Sequence, residues 1–262
     1  MYEILISGHR GFRSKEVDNT AKAFERAIKF GLDYIEFDVR TTKDKIPVIF
    51  HDYKTNNLLN WKGKIHKIDL KTLKQLKYKD NQKILTLDEM FSQFSNKIKF
   101  ILEIKSNNLE KKIIEMIKNY ELENNIIIQS YNRKVLKKCY ELYPNSEIKW
   151  CLCIGPVGIP IKNRISKMMD KYITKFVFDK LILPLPYVSY LNIDAPLVSE
   201  SFILYCVKMG KNIILGAKKP ENFLNKLIDW NVKIINCDDP ELIVNEIRNK
   251  YSSIYSISNK IK

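Results

Sequence analysis

The chain has little imidazole and no disulfide pattern. Its 262 residues include only three histidines, His9, His51 and His66, and an odd number of cysteines, five. Cys139, Cys151, Cys153, Cys206 and Cys237 lie mostly within apolar runs. Such a set makes no disulfide framework, and Cys151 and Cys153 are separated by one residue rather than the two usual at a structural zinc site. The five read as reduced core residues, which implies a reducing, cytoplasmic location. The first apolar run begins almost at residue 1, leaving no room before it for a signal peptide. No stretch rich in proline, glycine or serine divides the chain, and there is no internal repeat. One domain over 1–262 is therefore expected.

The formal net charge is +15, with lysines scattered along the whole sequence. A basic surface attracts phosphates, anionic membranes and nucleic acid without discriminating among them. No basic motif interleaved with base-stacking aromatics is present, so nucleic acid is not an expected partner. Solvated surface lysine is the simpler account of the charge.

Apolar strand patterns fall at 3–8, 33–38, 46–51, 98–104, 126–130, 148–153, 190–194, 212–216 and 232–236. Helical patterns fall at 20–30, 86–95, 109–120, 132–142, 162–180, 199–209 and 220–229. This alternation predicts a parallel α/β fold. The link from Arg40 to Lys45 is too short for a helical crossover, which needs about a dozen residues. The run ending in His51 is thus expected to be an extra strand or hairpin. Residues 53–85 are polar and lysine-rich, with helical spacing only near Ile68–Leu76, and read as a small insertion.

Polar residues interrupt the apolar runs in a pattern. Ile4–Ser7 leads into Gly8-His9-Arg10-Gly11, Glu36 and Asp38 alternate with Ile35, Phe37 and Val39, and Pro47–Phe50 leads into His51-Asp52. Residues two apart on a strand face the same side, so Glu36 and Asp38 project together, as do Glu103 and Lys105. Charges on apolar strands are costly to bury unless they are paired or bind a metal. Three converging carboxylates, Glu36, Asp38 and Glu103, suit a hard divalent cation.

The ordered set His9-Arg10-Gly11, Asp18-Asn19-Thr20, Glu36-Phe37-Asp38, Thr42-Lys43-Asp44 and His51-Asp52 resembles the glycerophosphodiester phosphodiesterases. Leu102-Glu103-Ile104-Lys105, Gln129-Ser130-Tyr131 and Asp238-Asp239-Pro240 resemble later motifs of that family. The resemblance is dense over 4–52, recurs at 86–131 and thins after 145. Asp18 stands where the family usually has Glu, Lys45 where it has Gly, and Leu215-Gly216 falls in a stretch where a Trp-Thr pair is usual. These departures bear on the shape of the substrate pocket.

The resemblance implies a (β/α)8 TIM barrel with a small insertion after the His51 segment and a tail from about residue 250. It implies hydrolysis of a small-molecule glycerophosphodiester to glycerol 3-phosphate and an alcohol. Glu36, Asp38 and Glu103 would hold one divalent ion, Mg2+ or Ca2+, while Arg10 and Lys105 would bind the substrate phosphate. His9 and His51 would serve as general acid and base, in an order the sequence leaves open. His66, beside lysines, reads as a surface residue.

Residues 161–191 mix Ile165, Met168, Met169, Ile173, Phe176 and Phe178 with lysines, and are broken by Asp170, Asp179, Pro184 and Pro186. They fall short of a spanning helix of about 20 apolar residues. An ordinary barrel helix is the first reading, and peripheral contact with an anionic membrane the second. Two other functions stay open: a lysophospholipase D-like phosphodiesterase, and a non-catalytic phosphate- or lipid-binding barrel.

Overall fold

The computed structural model describes residues 2–55, 61–78, 80–155, 164–194, 198–216 and 219–261, with backbone alone for 164–171. Its strands are β1 (Tyr2–Glu3), β2 (Leu5–His9), β3 (Tyr34–Thr41), β4 (Pro47–Ile49), β5 (Lys99–Ile104), β6 (Ile126–Ser130), β7 (Lys149–Ile154), β8 (Val188–Ile193), β9 (Asn212–Gly216), β10 (Val232–Cys237) and β11 (Tyr255–Ser256). Its helices are α1 (Ala21–Phe30), α2 (Leu70–Leu73), α3 (Leu87–Phe94), α4 (Glu110–Asn119), α5 (Arg133–Leu142), α6 (Arg164–Leu181), α7 (Glu200–Lys208) and α8 (Pro240–Lys250).

Eight strands, β2, β3 and β5 to β10, pair in parallel in chain order, and β2 pairs with both β10 and β3, which closes the sheet into a barrel. The fold is a (β/α)8 barrel, as the resemblance implied. β4 pairs antiparallel with β3 (Val39 with Ile49, Thr41 with Pro47). The strand pattern before His51 is therefore a hairpin arm and not a stave. This arm also lengthens β3 to Thr41, so Glu36 and Asp38 lie within the strand rather than at its tip.

Strand alternation sorts the two faces. Outward residues Phe37 and Phe100 pack edge-on at 5.6 Å and meet Phe24 of α1 and Phe91 of α3, with Phe94 of α3 against Phe24. Inside, Tyr34, Ile101, Ile127, Cys151, Ile214 and Ile234 form a buried hydrophobic plug. The barrel is thus a packed core below and polar above. α3 begins with a capping box, in which Thr86 Oγ1 accepts from the Glu89 N–H and the Glu89 carboxylate accepts from the Thr86 N–H.

The chain departs from the sequence patterns at two places. Pro220–Lys226 forms a 3-10 segment rather than an α-helix, and Pro240–Lys250 forms a helix that the patterns did not reveal, with Pro240 in its first turn and Asp239 capping it. In the insertion, Ile65–Lys67 and α2 pack on Val48 and Phe50 in a second small core with Leu73, Tyr78 and Ile84. His66 lies at the edge of this core, partly exposed and 5.1 Å from the ring of the exposed Tyr53. The pattern at 162–180 corresponds to α6, its first two residues and the side chains of Ile165, Met168 and Met169 lying outside the described residues. Phe178 and Ile182 are buried on the core side, whereas Tyr172 and Phe176 are exposed. Among the described residues no helix is long and apolar enough to cross a membrane. All five cysteines are free and buried.

Candidate active site

β2 ends at His9, and the chain reverses through two left-handed residues, Arg10 (φ 56°) and Gly11 (φ 88°). A Cβ on Gly11 would come within 2.7 Å of the Ala23 Cβ, so this turn requires glycine. The reversal aims the Arg10 backbone N–H at Glu36 Oε2, 3.1 Å away. The Arg10 guanidinium donates to Asp18 at 3.0 Å and lies 3.2 Å from Asp38 Oδ2. Its fork therefore meets two carboxylates, with Asp18 as its anchor.

Glu36, Asp38 and Glu103 are all buried, and one oxygen from each lies within 4.8 Å of the others. β3 and β5 bring this about, with Asp38 and Glu103 paired in register across the strands. Each acid is held by a side-chain donor, and those of Asp38 and Glu36 come from other elements. Asn19 Nδ2 donates to Asp38 at 2.9 Å, Gln129 Nε2 to Glu36 at 3.3 Å and Lys105 Nζ to Glu103 at 2.6 Å, with Asp38 a further 3.2 Å from Lys105.

The three acids divide electrostatically. Burial and the neighbouring Asp38 charge push Glu36 up to about 8. Burial and Asp38 also raise Glu103, against Lys105. Burial works against the Asp38 carboxylate too, but the charges of Lys105 and Arg10 outweigh it and hold Asp38 below the usual range. A cluster of hard oxygen donors whose negative charges raise one another's proton affinity is a fit for a divalent cation, which would offset their repulsion.

His9 Nδ1 donates to Asp238 Oδ1 at 2.6 Å, and its Nε2 lies 3.9 Å from Glu36. Burial disfavours its imidazolium, but the Asp238 bond and the Glu36 charge prevail and lift its pKa above the ordinary value. His51 Nδ1 bonds to Asp52 at 2.7 Å, and Arg40 Nε fixes the His51 carbonyl at 2.6 Å. Here burial wins, and with the charge of Arg10 it lowers the His51 pKa against the pull of Asp38.

One cavity of about 320 Å3 at the strand C-terminal ends receives His9, Arg10, Glu36, His51, Glu103 and Lys105. Asp38 is buried among these residues, through Arg10, Lys105 and the carboxylate cluster. All seven residues singled out from the sequence thus converge. Their partners went unassigned at that level. Asp18, Asn19, Gln129 and Asp238 fell in the quoted motifs without roles. Asn192 and Asn236 had no signal beyond period-two spacing on late strands.

Residues 9–152 match the family model described as the glycerophosphoryl diester phosphodiesterase family. A glycerophosphodiester phosphodiesterase of Caldanaerobacter subterraneus subsp. tengcongensis is 28% identical over 257 residues, spanning 93% of this chain and 98% of that protein. An Oleispira antarctica phosphodiesterase, solved in complex with the product sn-glycerol-3-phosphate, superposes with a TM-score of 0.73 at 22% identity, covering 94% of this chain and 97% of its own. The glycerophosphodiester phosphodiesterase of Thermotoga maritima gives 0.68 at 23% identity, covering 94% and 99%.

Proposed function

Since the chain belongs to the glycerophosphoryl diester phosphodiesterase family, we propose that it hydrolyses glycerophosphodiesters to glycerol 3-phosphate and an alcohol, using a divalent cation and two histidines. That membership makes it a phosphodiesterase. The reading rests above all on His9 and His51 sharing one cavity with a buried cluster of three carboxylates. The product held by the Oleispira relative is in keeping with it.

Glu36, Asp38 and Glu103 would hold Mg2+ or Ca2+, which supplies Lewis-acid neutralisation of a phosphodiester oxygen. Arg10 and Lys105 add fixed positive charge beside the same site, suited to the remaining phosphate oxygens. The opposite electrostatics of the two histidines support a division of labour. His51, kept neutral with Nδ1 bound to Asp52, takes at Nε2 the proton of the attacking oxygen, which belongs to a water or to a glycerol hydroxyl whose cyclic ester a water then opens. His9, kept protonated by its bond to Asp238, gives its proton to the leaving alcohol. Five free, buried thiols favour a reducing cytoplasm as the setting.

The test is release of glycerol 3-phosphate from glycerophosphocholine and glycerophosphoethanolamine with Mg2+, Ca2+ or EDTA, with His9→Ala as control. Metal-dependent release that the variant lacks is expected. Absence of release by folded, metal-loaded protein would overturn the proposal.

A further inference from the structure

The wall of the cavity built by the late strands carries polar groups that the chemistry above leaves unused. Asn192 of β8, Gly216 of β9 and Asn236 of β10 line it. Asn236 lies in register between Gly216 on one side and Ser7 of β2 on the other.

Asn236 is only 6% exposed, yet its Oδ1 has no hydrogen-bond partner among the described residues, and the same holds for the fully buried Oγ of Ser7. Buried polar atoms are almost always paired, so an orphan carbonyl on a residue of a cavity wall marks a place for a ligand or an ordered water. Gly216 keeps the neighbouring space open. A Cβ there would sit 2.8 Å from Asn192 Oδ1.

The amide chemistry selects the class of ligand. An amide oxygen needs a donor, and the amide nitrogen that would replace it on a flip needs an acceptor. A hydroxyl meets either demand, whereas a phosphate or carboxylate oxygen only accepts and an ammonium only donates. The patch is also tied to the phosphate site. Asn192 Nδ2 donates to Gln129 Oε1 at 2.8 Å, and Gln129 donates on to Glu36. Two hydrogen bonds thus separate the late-strand wall from the carboxylate cluster.

We propose that Asn236, beside Asn192 and the space left by Gly216, binds a hydroxyl on the polyol arm of the substrate and so sets specificity for a hydroxylated diester. The inference rests on the phosphodiesterase reading above and deepens it.

The test measures binding of two phosphate monoesters to the metal-loaded protein by calorimetry. Glycerol 3-phosphate carries two hydroxyls, and n-propyl phosphate keeps the same carbon chain and phosphate without them. Wild type is expected to prefer glycerol 3-phosphate by at least about tenfold, since a site built for a hydroxyl rejects the analogue that lacks it. Asn236→Leu, similar in volume, should reduce glycerol 3-phosphate to the affinity of n-propyl phosphate and leave the latter nearly unchanged. Asn236→Ala, which also removes the amide without adding a hydrogen-bonding group, gives the same reading should the leucine variant not fold.

Equal affinities in wild type would mean that the wall holds only water and would overturn the proposal without any variant. A preference that survives in Asn236→Leu, or an equal weakening of both ligands, would also overturn it, the latter by giving Asn236 a structural role. These three results leave the phosphodiesterase reading standing. Failure of wild type to bind either monoester, with no diester hydrolysis, would remove that reading and the subsite together.

Discussion

Asp238, at the end of the last barrel strand, accepts a 2.6 Å hydrogen bond from Nδ1 of His9, at the end of the first. The bond crosses the seam where β10 pairs with β2, Cys237 lying opposite Gly8. It fixes the tautomer of His9, leaving Nε2 toward Glu36 and the cavity. Arg13 reaches the same carboxylate at 3.3 Å and helps keep it ionised, below the usual range.

Asp238→Asn is therefore expected to lower kcat by roughly 10- to 100-fold, less than the loss of a full acid–base residue. Its pH profile should move as well. Burial lowers the His9 pKa and the Asp238 bond raises it, so removing the carboxylate lets the pKa fall. The acid form is then lost earlier, and the alkaline limb of kcat shifts to lower pH. An unmoved limb would disconnect Asp238 from the titrating group.

His9→Ala and His51→Ala should each reduce turnover by about 10²- to 10⁴-fold, the usual worth of a positioned acid or base. Both side chains line a cavity and neither belongs to the packed interior, so circular dichroism and melting temperature should stay close to wild type. Full activity in either variant would sink the acid–base assignment.

Cation binding should release protons and strengthen with pH. Glu36 is pushed up to about 8 by burial and by Asp38, so it holds its proton at neutral pH and must lose it to serve as a ligand. Below that value affinity falls. Calorimetry with Mg2+ or Ca2+ in buffers of different ionisation enthalpy would count the protons. Glu36→Gln should bind neither ion measurably, and tight binding by that variant would exclude Glu36 from the site.

Glu89 offers a stability prediction far from the chemistry. Burial opposes its ionisation, but the contact with Lys74 and the Thr86 N–H outweigh that and hold its carboxyl below the ordinary value of 4.5. A depressed folded pKa contributes stability above the unfolded pKa, and that contribution disappears as pH falls through the folded one. Glu89→Gln should then cost under about 1 kcal/mol at pH 7, given its partial exposure. Denaturant unfolding at acid pH should show the two proteins converging. A constant difference across pH would argue that the charge is idle.

The strands were legible because period-two alternation writes burial directly into sequence: Glu36, Asp38, Glu103 and Lys105 stand out as charges on otherwise apolar runs. The short link from Arg40 to Lys45 likewise ruled out a crossover, and β4 is the hairpin arm that follows. Helix α8 was harder to see, since its polar and apolar positions follow the Asp238-Asp239-Pro240 turn without a preceding pause. The 3-10 segment at Pro220–Lys226 shows the converse, helical spacing without α geometry.

By itself, then, the sequence determined which side chains face the barrel interior and which residue types could carry phosphoryl chemistry, because both depend on local period and on the cost of burying charge. The tertiary structure alone decided which donors hold them. Closure of the sheet brings residue 238 to residue 9, residue 192 to 129 and residue 129 to 36. It also places Asn236 on the cavity wall with its Oδ1 buried and without a partner among the described residues. No local pattern encodes those pairings, since they follow from the register and closure of eight strands distant in the chain.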